Sequence, residues 1–268
     1  MKGKVNNMYT TILYEVKNNI GFITLNRPEV GNAMIPDSYR EIKDALVRAG
    51  ADEGVRSILI TGTGRFFSAG GDIKRFKSLI QSEDFIKEEN ILAAGQMAIA
   101  AKKCPKPIVA QVNGAAAGAG CCLALACDFR VMDPKSKLSM AFIKLGLSGD
   151  TGALYHLEKL VGVAKATQMM MTGDPISAEE AYSLGLTTIL ADEGKLADES
   201  LKLAEKLAAS PGFAIARQKE LIYEYFYGDF ESYLQKEAKF MAESSRTQDF
   251  SIAVDAFLEK RQAEFVGK

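Results

Sequence analysis

Apolar residues in this chain fall at two spacings, and the switches between them lay out its elements. Residues 12–16 and 20–25 are short β-rich runs separated by Lys17, Asn18 and Asn19, which predicts a hairpin. Over 36–49, Tyr39, Ile42, Ala45, Leu46 and Ala49 recur at helical spacing behind Pro36 and Asp37. The apolar run SILIT at 57–61 predicts a strand, and strand, helix and strand in that order predict a parallel, right-handed crossover. Residues 74–104 are charged and amphipathic, with one or two helices expected before Pro105 and Pro107 end them. Strands are expected at 107–113, 129–132 and 137–140. From residue 151 the spacing turns helical, at 152–161, 163–171, 178–184, 195–208, 212–226, 230–244 and 251–265, with one short strand at 187–190. The pattern predicts an α/β core over residues 1–200 and a C-terminal helical region over 201–268, packed together without a Pro-, Gly- or Ser-rich linker.

Two stretches depart from both spacings. QVNGAAAGAGCCLALACD, residues 111–128, runs from a strand through seven residues with nothing larger than a methyl group into a short apolar helix. A ligand can reach the backbone there, and the first N–H groups of the helix lack intrahelical partners and sit at the positive end of its dipole. The stretch reads as half of an oxyanion hole, or as small residues that let a helix pack closely on a sheet. After the 57–61 strand, GTGRFFSAGGDIK again exposes backbone at Ala69, Gly70 and Gly71.

These motifs, with MTGDPISAEEAYSLGL from Met171 and AFLEKRQAEF from Ala256, resemble the crotonase (enoyl-CoA hydratase/isomerase) superfamily, in family order from about residue 10 to the end. The resemblance implies a spiral of ββα repeats, an acyl-CoA thioester substrate with no separate cofactor, and a homotrimer or dimer of trimers built through the C-terminal helices. It implies catalysis through the backbone N–H groups of Gly71 and Ala119. Ala69 would offer its carbonyl to the adenine, and Lys74 would lie near the nucleotide phosphates or be an ordinary exposed lysine. Where hydratases of the family carry two glutamates, this chain has Cys122 and Phe142. Hydration needs one group to activate water and another to handle the proton, and Phe142 does neither. Cys122 is a thiol near a helix start or plain packing. Asp150 aligns with an aspartate that isomerase and dehalogenase branches place in the active site; read locally, it is a helix N-cap. Family members carry Pro where this chain has Gly149, and Gly where it has Ala153. One acid suits double-bond isomerisation, moving a proton from the carbon beside the thioester to one two carbons along. Hydration, hydrolysis and binding without catalysis are the alternatives. Asp72 is expected to brace its loop.

Composition narrows the partners. With 33 basic and 34 acidic residues there is no basic stripe for nucleic acid, and an anionic ligand must be held locally. MKGKVNNM at 1–8 lacks the apolar core of a signal peptide and no run of eighteen apolar residues occurs, so a cytoplasmic protein without a membrane partner is expected. The cysteines Cys121, Cys122 and Cys127 share one predicted helix and read as reduced and buried. His156 reads as a packed or surface residue, and with no second His and no CxxC there is no metal site to expect.

Overall fold

The computed structural model describes residues 8–268; all but the last residue of the segment read as lacking a signal peptide lies outside the described residues. Strands β1 (Ile12–Lys17) and β2 (Ile20–Leu25) form the expected antiparallel hairpin. It turns through Asn18 and Asn19 at φ 51° and 61°, the conformation that asparagine tolerates best among residues with a side chain. Helix α1 (Pro36–Ala51) starts on proline, whose missing N–H costs nothing at a first turn, and crosses back so that β3 (Ser57–Gly62) lies parallel to β2. The charged stretch that follows is two helices, α2 (Ile73–Gln81) and α3 (Glu88–Lys103).

The chain then spirals. Strand β4 (Ile108–Val112) is followed by β5 (Ala115–Ala117) and α4 (Ala119–Ala126), and β6 (Phe129–Met132) by β7 (Lys137–Ser139) and a short 3-10 turn, Ala141–Leu145. Next come α5 (Ala153–Thr172), β8 (Ile176–Ser177), α6 (Ala178–Ser183) and β9 (Ile189–Leu190). Six strands form one sheet, β1-β2-β3-β4-β6-β9, and three short ones a second, β5-β7-β8. This is the spiral of ββα turns. Strand β5 was read as loop, because alanine has little strand preference and only pairing with β7 makes it one. The two helices read at 152–161 and 163–171 run together as α5, broken by Gly162 at φ 74°, ψ 165°.

Both faces of the large sheet are covered, which explains the near-continuous apolar runs of its inner strands. Ile58, Ile60, Ile108, Ala110 and Val112 point into the main core with α1, α3 and α4, whereas Leu59, Val109 and Val131 meet Leu196, Ala204 and Ala208 of α7 (Leu196–Ala209). Beyond it lie α8 (Gly212–Phe226), α9 (Phe230–Ser244) and α10 (Gln248–Leu258). Helix α9 packs along α3, and α10 packs against α2 and the 3-10 turn. The helix read at 251–265 begins three residues earlier, where Thr247 caps the N–H of Phe250, and stops at Leu258. No described helix is long and apolar enough to cross a membrane.

Arg130, 5% exposed, braces the end of α4: it donates to the carbonyls of Cys127 (2.8 Å), Ala124 (3.3 Å) and Leu186. Replacing it with Met leaves buried carbonyls without donors and is expected to cost on the order of 3 kcal/mol, measured as a lowered midpoint in chemical unfolding.

Candidate active site

The two small-residue turns lie side by side. Ser68 and Ala116 form a parallel bridge, with the Ser68 N–H donating to Ala115 O (3.2 Å) and the Ala117 N–H to Ser68 O (2.9 Å). Gly71 and Ala119 each come three residues after a bridge partner, so the register sets them on neighbouring turns. The turns touch closely enough that only glycine fits. A side chain on Gly70 (φ 90°) would meet the Ala117 carbonyl at 2.8 Å, and one on Gly120 would meet the Ser68 side chain at 2.5 Å. Among the described residues, neither the Gly71 nor the Ala119 N–H has an acceptor. Ala119 is the first residue of α4, where a free N–H is the rule.

Asp72 braces the first turn. Its carboxylate accepts from the N–H groups of Lys74 (3.1 Å) and Arg75 (3.2 Å) at the start of α2 and from Arg27 Nη2 (2.9 Å), while Arg27 Nη1 donates to the Ala33 carbonyl (2.6 Å).

A cavity of about 380 Å³ opens onto these turns. Ala69, Gly71, Lys74, Phe142 and Asp150 all lie on its wall, and Gly118 joins them directly ahead of Ala119. Leu145, Leu147, Met241 and Phe257 make much of the rest apolar. Cys122 is not on the wall: it is fully buried, with its Sγ 4.0 Å from Met140 Sδ, and burial pushes its thiol well above the usual range. The structure thus sets it in the core beneath the site.

Three carboxyl groups border the cavity, and their surroundings differ. Glu29 is exposed, Asp72 is paired with Arg27, and Asp150 is 7% exposed with no cation beside it. The Thr151 hydroxyl donates to Asp150 Oδ1 (2.7 Å). Burial raises the Asp150 carboxyl to about 6, with the threonine bond opposing the shift. The local reading of Asp150 as a helix cap does not hold, because its side chain makes no bond to the start of α5. That task falls to Glu237 of α9, whose carboxylate accepts the N–H groups of Gly152 (2.8 Å) and Ala153 (3.1 Å) and the Tyr233 hydroxyl (3.0 Å). Glu237 was not singled out in the sequence. Its signal was there: Phe230, Leu234, Glu237, Ala238 and Met241 share one buried helical stripe, and an acid on such a stripe has a partner to find. Burial, and after it the Asp150 charge, raise Glu237 to about 7.

The turn carrying Asp150 is strained. Gly149, Thr151 and Gly152 have φ of 118°, 59° and 79°, and a β-branched residue at positive φ costs about 1–3 kcal/mol. His156, one turn into α5, is fully buried with neither ring nitrogen hydrogen-bonded, and burial holds its pKa well below the usual value.

The pH dependence of stability follows from the two raised carboxyls. Both bind protons more tightly folded than unfolded, so they favour the fold below their ordinary values of 3.8 and 4.5. That contribution is lost as pH rises through about 6 and 7. Asp150→Asn is expected to remove part of the decline in stability between pH 4 and pH 7, measured by chemical unfolding across that range.

The family model for enoyl-CoA hydratase/isomerase matches residues 15–268. A probable enoyl-CoA hydratase of Bacillus subtilis is 37% identical over 93% of this chain and 96% of its own. The trans-2-decenoyl-[acyl-carrier-protein] isomerase of Streptococcus mutans is 31% identical over 97% of this chain and 99% of its own. Among solved structures, an enoyl-CoA hydratase from Mycobacterium avium subsp. paratuberculosis superposes with a TM-score of 0.88 at 29% identity, covering 96% of this chain and 99% of that one. Fold, turn geometry and sequence agree: the chain belongs to the enoyl-CoA hydratase/isomerase family.

Proposed function

We propose that this enzyme isomerises the double bond of an enoyl thioester. The observation that carries the reading is a single buried carboxyl, Asp150, uncommitted to any cation on the wall of an apolar cavity bordered by two turns with free N–H groups. The Gly71 and Ala119 amides receive the thioester oxygen and stabilise it as the substrate becomes an enolate. Asp150 takes the proton from the carbon beside the carbonyl and returns it two carbons along, and in the reverse direction does the opposite. A carboxyl raised to about 6 suits both halves, because it is basic enough to accept the proton and acidic enough to give it back. Such a proton relocation changes no oxidation state overall and calls for no separate cofactor. Cys122 and Phe142 stand where hydration would need acids; one is packed in the core and the other presents a phenyl ring to the cavity.

Ala69 and Lys74, both exposed on the rim, are proposed to meet the adenine and phosphates of coenzyme A. The relative named for an acyl-carrier-protein substrate makes the carrier part of the test. Purified enzyme is expected to convert 3-enoyl thioesters to conjugated 2-enoyl thioesters, followed by ultraviolet absorbance, and the same acyl chain on coenzyme A and on acyl carrier protein identifies the carrier. Tight binding across the panel without conversion would instead make this a non-catalytic binding member.

The assembly proposed is a homotrimer or a dimer of trimers. Phe213, Leu221, Ile222, Tyr225 and Phe226 of α8 have exposures of 80%, 65%, 51%, 84% and 52%, apolar surface that a second copy of the chain would cover. Light scattering after size exclusion is expected to give three or six times the chain mass, and Leu221→Glu to lower it.

A further inference from the structure

Glu237 sits in α9, but its carboxylate is engaged with a turn 85 residues earlier in the chain. We propose that Glu237 is the positioning residue that holds Asp150 on the cavity wall by clamping the turn between Gly149 and Ala153, an inference that rests on the proton-shuttle role given to Asp150 above.

The turn does not hold its shape through side chains of its own. Among the described residues, the one hydrogen bond made by its own side chains runs between neighbours, Thr151 to Asp150. Three of its residues lie at positive φ, a conformation that Thr151 in particular needs its surroundings to impose. Met170 of α5 and Phe142 lie against Gly149, and α9 supplies the rest of the grip. Glu237 binds two successive N–H groups, Gly152 and Ala153, and the Phe230 ring lies so close that a side chain on Gly152 would meet it at 2.5 Å. Phe230 and Glu237 are seven residues apart and so lie on one face of the helix, which grips the turn at two points. Asp150 precedes the clamped amides by two and three residues, so any change in that grip moves its carboxyl.

The groups facing this centre are few. Tyr233, on the same helix, donates to Glu237; Asp150 and Thr151 come from the turn, Tyr39 from α1, Cys122 from α4 and neutral His156 from α5. Among the described residues no cation is paired with either acid. Behind burial, the Asp150 charge adds to what raises Glu237, so ionisation of Asp150 is felt at Glu237.

The test compares wild type and Glu237→Gln by the carbon-13 NMR titration of the Asp150 carboxyl, and both of them with Asp150→Asn by isomerase kinetics. With Glu237→Gln the Asp150 midpoint is expected to fall from about 6 toward its ordinary value, because the carboxyl loses its enforced burial. The kcat is expected to fall roughly 10- to 100-fold with KM nearly unchanged, the signature of a misplaced group. An unchanged midpoint and kcat with lowered thermal stability would reduce Glu237 to a helix cap and overturn the proposal. Inactivity of Glu237→Gln as complete as that of Asp150→Asn would also overturn it, by making Glu237 a proton-transfer group. Should Glu237→Gln not fold, Tyr233→Phe removes one donor and leaves both backbone bonds; a smaller downward shift of the Asp150 midpoint is then expected, and none would count against the clamp. The titration does not depend on turnover. If Asp150→Asn retains wild-type activity while the Asp150 midpoint of Glu237→Gln still moves, the shuttle reading fails and the clamp stands.

Discussion

Asp150→Asn is expected to lower the proposed isomerase kcat by on the order of 10³-fold while leaving KM nearly unchanged. The amide keeps the size of the carboxyl and still accepts the Thr151 hydroxyl bond, so the turn and the cavity wall are preserved. What is lost is the capacity to take and return a proton, a capacity used in the transition state rather than in binding. The wild-type pH profile carries the same information. If the ionised form of a carboxyl raised to about 6 does the work, kcat/KM is expected to climb with pH and level off above that value. Steady-state rates from pH 4.5 to pH 8 for both proteins decide the matter. A variant that kept wild-type turnover would remove Asp150 from the mechanism.

Gly70→Ala is the second large effect, and it acts without touching any acid. The added methyl would lie 2.8 Å from the Ala117 carbonyl, a backbone atom that cannot swing away, at a residue whose φ of 90° already disfavours a side chain. Relief requires the two turns to part, and parting them misdirects the Gly71 and Ala119 amides relative to one another. Loss of one such donor lowers kcat by on the order of 10²- to 10³-fold. Circular dichroism of the purified variant separates this from unfolding. A folded Gly70→Ala enzyme with wild-type kcat would mean that the amide pair does not stabilise the enolate.

How far the sequence revealed this site depended on how local each feature is. The hairpin at Asn18 and Asn19, helix α1 and the apolar strands follow from spacing and turn chemistry within a few residues, and all are present. The two glycine-rich turns stood out because their residues have so little side chain. Strand β5 did not, because its identity is conferred by β7 some twenty residues on. Asp150 carried two readings that no local pattern separates, cap and catalyst. The cap proved to come from Glu237 on α9, a partner that only the packed fold supplies. Cys122 looked like a site residue because of where the family places its acid. In the fold that position points into the core, and a small apolar thiol fills it.

The reading is tested most directly by the fate of solvent atoms. A 3-enoyl-CoA thioester incubated with the enzyme in water labelled with oxygen-18, and separately in deuterium oxide, can be followed by mass spectrometry of the product. Proton relocation by a lone carboxyl through an enolate predicts a conjugated 2-enoyl thioester of unchanged oxygen content, with deuterium entering only at the carbons two and four from the carboxyl terminus. Oxygen-18 in a 3-hydroxyacyl product, or in a released free acid, would contradict it.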